Sequence, residues 1–137
     1  METPARIMVI EDDPDLMRLM THTLKSAGFN VIQAYGGEDA LRKVKLQKPD
    51  LILTDLAMPK MSGVEVIAHV KADADTKDIP VVAVTAFTWD TIAQSASQVG
   101  CDSFVSKPFN AVRLLQEVSK YVTLPGKQPV GSGAARG

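Results

Sequence analysis

The feature that most constrains this chain is an alternation. Five short apolar runs, Arg6–Ile10, Val31–Ala34, Leu51–Thr54, Val81–Thr85 and Ser103–Ser106, are separated by longer stretches whose apolar residues recur at helical spacing. Runs this short, rich in β-branched and other apolar side chains, have the pattern of buried strands. Strands so continuously apolar leave no face for water, which predicts a parallel sheet covered by helices on both sides. The expected fold class is α/β, a three-layer sandwich of five parallel strands and five helices.

The helices can be placed from their stripes and caps. The first is expected over Pro14 to Ala27, with Leu16, Leu19, Met20, Thr23 and Leu24 facing inward. Pro14 suits its first turn and Gly28 the position just past its end. The second, about Glu38 to Leu46, starts after Gly36-Gly37 and stops before Pro49. Ser62-Gly63-Val64-Glu65 reads as a capping box opening the third, with Val66, Ile67 and Val70 as its apolar positions. A weak fourth spans about Trp89 to Val99, and Gly100 closes it. The fifth runs from Ala111 to Tyr121, with Asn110 as cap and Val112, Leu115, Val118 and Val122 spaced for burial. One domain over residues 1–122 is expected. The Pro/Gly/Ala-rich stretch 123–137 has too little apolar surface to order itself.

Composition narrows the function classes. The 137 residues are 45% hydrophobic but only 5% aromatic, so the core must be aliphatic. A net charge of -1, from 15 basic and 16 acidic residues, offers no electrostatic reason to bind nucleic acid or an anionic membrane. The single cysteine, Cys101, excludes an internal disulfide and fits a reducing compartment. No apolar run reaches the roughly 20 residues a bilayer span requires, and METPARIMVIEDD lacks a secretory apolar region. A soluble cytoplasmic domain is expected.

In an open parallel sheet, ligands bind beyond the carboxyl ends of the strands. Glu11, Asp12 and Asp13 follow the first strand, Asp55 follows the third, Thr85 ends the fourth and Lys107 follows the fifth. One rim therefore receives acids, a hydroxyl and an ammonium. Carboxylates this crowded raise one another's pKa and destabilise the fold unless a cation sits among them. Oxygen donors without His or Cys favour a hard cation, and a few carboxylates with waters suit Mg2+. A carboxylate nucleophile, a metal, an ammonium and a hydroxyl are the parts phosphoryl transfer needs.

These residues carry a resemblance. VIEDD at the first strand, D-L-A-M-P-K-M-S-G from Asp55 to Gly63, VTA at Val84–Ala86 and SKPF at Ser106–Phe109 stand in the order found in response-regulator receiver domains, and the chain resembles that family over about residues 5–122. The resemblance implies a flavodoxin-like strand order 2-1-3-4-5. It implies that Asp55 is the phosphoacceptor, served by a sensor histidine kinase or histidine phosphotransfer protein. Asp13 would then ligate Mg2+ directly, Asp12 mostly through water, and Ala57 through its backbone carbonyl. Thr85 would donate to the phosphoryl group, Lys107 would neutralise it, and Pro108 would follow a cis peptide bond. Phe104 falls at the family's aromatic switch position. Together with Thr85 it would remodel the face of the fourth helix, fifth strand and fifth helix for a downstream protein effector. Ala57 and Phe87 depart from the commonest patterns and would help set the phosphoryl lifetime.

Other residues have plainer readings. Met58 and Pro59 make a plug and a rigid loop, Gly63 permits close packing, and His22 and His69 lie off their apolar stripes. Cys101 reads as a small packed side chain; Trp89 fits either burial or a partner contact. Two rival functions remain. A haloacid-dehalogenase-like phosphatase needs a second Asp where Ala57 stands. A pseudo-receiver that never takes phosphate should have lost Asp55, Lys107 or an acid.

Overall fold

The computed structural model describes residues 3–86 and 100–124. Its strands are β1 (Arg6–Ile10), β2 (Asn30–Ala34), β3 (Leu51–Thr54), β4 (Val81–Thr85) and β5 (Ser103–Ser106). They form one parallel sheet of order β2-β1-β3-β4-β5, as the flavodoxin-like reading expects. The second strand begins one residue earlier than the apolar pattern implied, because Asn30 pairs with Arg6.

Alternation along the strands divides the core. Met8 and Ile10 of β1 enter one cluster with Ile52, Ala83 and the helix residues Val44, Val66, Ile67 and Val70. Ile7 and Val9 enter the other, with Leu51, Leu53, Val82, Val84, Met17, Met20, Leu24, Leu114 and Val118. The first cluster is covered by α2 (Gly37–Gln47) and α3 (Gly63–Ala72), the second by α1 (Pro14–Ser26) and α4 (Ala111–Val118). A buried leucine or isoleucine contributes about 1.5–3 kcal/mol, so these two layers dominate the stability. The α4 label belongs to the helix read above as the fifth. The fourth expected from sequence, about Trp89 to Val99, lies outside the described residues with Phe87. Leu124 still packs against the second cluster.

Local chemistry explains the boundaries. The Ser62 side chain accepts from Glu65 N while Glu65 returns a bond to Ser62 N, the reciprocal cap read from sequence. Asn110 caps α4 by accepting from Arg113 N at 2.8 Å. Gly28, with φ 99, and Lys48, with φ 45, turn the chain out of α1 and α2 through left-handed backbone. Two helical phases differ from expectation. In α1 the buried residues are Met17, Met20, Thr21, Thr23 and Leu24, and Leu19 is 50% exposed. In α4 they are Leu114, Glu117 and Val118, and Val112 is 64% exposed. That helix also ends at Val118, where Lys120 N and Tyr121 N turn back onto the carbonyls of Glu117 and Val118. His22 and His69 are exposed and Met58 is buried, as read. No helix among the described residues is long and apolar enough to cross a membrane.

Candidate phosphoacceptor site

Asp55 follows β3 directly. Its N–H still reaches Ile10 O at 3.0 Å, so the pairing with β1 fixes where its side chain leaves the sheet. The carboxylate is buried, with each oxygen held: Oδ1 accepts from Ala57 N and Oδ2 from Lys107 Nζ, both at 3.1 Å. Lys107 leaves the end of β5, tied to β4 by a 2.8 Å bond from its N–H to Thr85 O. Its ammonium also donates to Glu11 Oε1 at 3.1 Å.

Glu11 continues β1 by one residue, donating from its N–H to Ala34 O at 3.0 Å, and is almost fully buried. Carboxylate oxygens of Glu11, Asp12 and Asp55 all lie within 4.8 Å of one another. Burial and then the Asp55 charge raise the Glu11 pKa, against the opposing pull of the Asp13 N–H and Lys107. Burial works against the Lys107 charge. The Asp55 charge and the bonds to both carboxylates outweigh it and raise the Lys107 pKa.

Asp13 stands elsewhere. Its Oδ1 accepts from Asp15 N at 3.0 Å, making it the N-cap of α1 ahead of Pro14. The acidic pair directed at Asp55 is thus Glu11 and Asp12, one position earlier than the ligand pair Asp12 and Asp13 read from sequence. The physical reason is that the α1 N-terminus claims Asp13. The Asp-Pro-Asp run was the available signal, since an Asp before a first-turn Pro is a strong N-cap pattern. The sequence puts Glu11 at this strand end without marking it as a ligand.

Thr85 is buried at the end of β4, opposite Ser106 of β5 in register. Phe104 lies on β5, partly buried, and packs against the cluster beneath α2 and α3. The Lys107–Pro108 peptide is cis. The donor set fits a divalent cation: three carboxylates converge and two of them share one ammonium, the donors are all oxygen, and Ala57 is held beside them by its bond to Asp55.

Comparison with known proteins agrees with this geometry. The sequence model of the response regulator receiver domain matches residues 7–119. The polar-differentiation response regulator DivK of Brucella anthropi is 34% identical over 119 residues, covering 87% of this chain and 97% of the relative. The chemotaxis protein CheY4 of Vibrio cholerae superposes with a TM-score of 0.84 at 29% identity, covering 88% of this chain and all of that one. The receiver domain of the sensor histidine kinase PA1611 of Pseudomonas aeruginosa, described with a magnesium ion coordinated in its active site cleft, shares the fold. Its TM-score is 0.81 at 24% identity, over 87% of this chain and 98% of that one. This chain belongs to the response regulator receiver domain family.

Proposed function

We propose that this receiver domain takes a phosphoryl group on the Asp55 carboxylate from a phosphohistidine of a sensor kinase or histidine phosphotransfer protein. The observation that carries the reading is the buried Asp55 carboxylate with Lys107 on one oxygen and two further carboxylates gathered beside it. A carboxylate oxygen of Asp55 bonds to phosphorus as the phosphorus–nitrogen bond breaks. The imidazole leaves with that electron pair and is then protonated. Lys107 sits where it can pass from the carboxylate to a phosphoryl oxygen, and burial strengthens that attraction. Glu11, Asp12, Asp55 and the Ala57 carbonyl would hold Mg2+, which supplies neutralisation of charge on the transferring group. Asp13 serves this arrangement indirectly, by starting α1.

Thr85 and Phe104 form the switch in this reading. An acyl phosphate adds charge and acceptor oxygens that draw the Thr85 hydroxyl inward, and Phe104 turns into the space released. The altered face would bind a downstream protein effector. The phosphatase alternative lacks its second acid, because Ala57 stands two residues after Asp55 and offers only its backbone.

Intact mass after incubation with acetyl phosphate tests the reading. One phosphoryl group is expected on the wild type with Mg2+, and none with a chelator or on Asp55→Ala. Uptake by Asp55→Ala, or no uptake by the wild type, would overturn it. Sustained phosphate release from a small ester would favour the phosphatase.

A further inference from the structure

Thr54 is the last residue of β3 and has no exposed surface. The two-residue period of a strand puts it on the same face as Ile52, above a cluster built from Ile10, Ala83, Val66 and Ile67. A valine would fill that space without a hydroxyl. A hydroxyl there costs about 1–3 kcal/mol unless it is bonded. Thr54 Oγ1 does bond, donating at 2.9 Å to the carbonyl of the next residue, Asp55.

The same carbonyl is confined from α3. A Cβ on Gly63 would lie 2.0 Å from Asp55 O and 2.7 Å from Leu56 Cα, so the backbone of α3 rests directly on this peptide. Gly63 N adds a 3.0 Å bond to Leu56 O. The peptide between Asp55 and Leu56 is therefore held by a hydroxyl and by glycine backbone together. From there the chain reaches Ala57, whose N–H holds Asp55 Oδ1. The direction of the carboxylate follows from the orientation of this short backbone segment.

We propose that Thr54 is a positioning residue for phosphoryl uptake: its hydroxyl fixes the Asp55 carbonyl so that Ala57 N–H can orient the acceptor carboxylate. The inference rests on Asp55 being the acceptor. Thr54 touches no reacting atom; it acts through the peptide. Removing the hydroxyl leaves that peptide confined by Gly63 alone, which loosens the Ala57 N–H bond to Asp55 Oδ1 and widens the range of carboxylate directions, of which few suit attack.

Thr54→Val keeps the shape and removes the hydroxyl, Thr54→Ser keeps the hydroxyl, and Thr54→Ala is a second hydroxyl-free variant in case the valine packs badly. Uptake from acetyl phosphate with saturating Mg2+ is followed by mass, for variants whose circular dichroism matches the wild type. The maximal rate of Thr54→Val should fall about tenfold with unchanged half-saturating donor concentration, because geometry and not binding is lost. Thr54→Ser should recover to within about twofold of wild type on the same argument. The Ala57 amide should exchange faster with solvent in both hydroxyl-free variants and at the wild-type rate in Thr54→Ser. A hydroxyl-free variant reacting at the wild-type rate, or Thr54→Ser as slow as Thr54→Val, overturns the proposal. Failure of the acceptor reading itself looks different: the wild type gains no phosphoryl group, or Asp55→Ala gains one.

Discussion

The Lys107 ammonium lies 3.1 Å from Asp55 Oδ2, joining residues 52 positions apart in the chain. It lies equally far from Glu11 Oε1, so one cation answers two buried carboxylates. Lys107→Met leaves both without it. Breaking a buried pair costs about 3–5 kcal/mol, and since Lys107 is 21% exposed a loss of about 2–3 kcal/mol is expected without divalent ions. Mg2+ should then raise the melting temperature of Lys107→Met more than that of the wild type. Thermal unfolding with and without Mg2+ measures this; an equal rise in both proteins contradicts it.

Two glycines, Gly63 beside Asp55 and Gly36 at the start of α2, should respond differently to alanine. At Gly63 the new methyl would meet Asp55 O at 2.0 Å, and backbone cannot step aside as a side chain can. Overpacking of this kind costs about 1–3 kcal/mol or more. At Gly36, the N-cap of α2, nothing lies within 4 Å and φ is -165, extended backbone that any residue adopts. Gly36→Ala should stay within about 0.5 kcal/mol of wild type. Urea denaturation of the two variants side by side decides it.

Uptake and switching should separate at Thr85. Thr85→Ala leaves Asp55, Lys107 and the gathered carboxylates in place, so intact mass should still show the phosphoryl group. The Phe104 ring resonances, which should move on phosphorylation of the wild type, should stay put in Thr85→Ala. A normal shift in the variant would remove Thr85 from the switch.

What was legible in the sequence was the convergence. A parallel sheet delivers the residues after its strands to one edge, so Asp55, Thr85 and Lys107 could be brought together from the strand pattern alone. What was not legible was register at the scale of one residue. Asp12 and Asp13 look alike as letters, yet one faces Asp55 while the other caps α1. The helical phase of α4 hid more. Read as a stripe through Val112, Leu115 and Val118, it left Glu117 on the surface, whereas packing against β5 turns Leu114 and Glu117 inward. Apolar periodicity cannot find a buried carboxylate, because its burial depends on partners supplied by other elements.

Those partners make Glu117 a pH-sensitive brace between β5 and α4. Its side chain is 2% exposed. Oε2 accepts from Ser103 Oγ at 2.7 Å, while Oε1 accepts from Arg113 Nη1 at 2.7 Å and Lys120 Nζ at 3.1 Å. Tyr121 donates to Ser103 Oγ at 2.9 Å, tying the residues after α4 into the same group. Burial pushes the Glu117 pKa up, but the bonds from Ser103, Arg113 and Lys120 outweigh it, and the carboxyl titrates below its ordinary value. A carboxyl lowered by folding stabilises the native state above its unfolded pKa, and loses that contribution as pH falls through the native one. Glu117→Gln keeps the shape and removes the charge, which should cost about 1–2 kcal/mol near neutral pH. Arg113 and Lys120 are largely solvated, so the cost should not exceed that. The gap between wild type and Glu117→Gln should narrow as pH drops below about 4. Urea midpoints across that range test the sign: a gap that stays constant means the Glu117 charge contributes nothing to the brace.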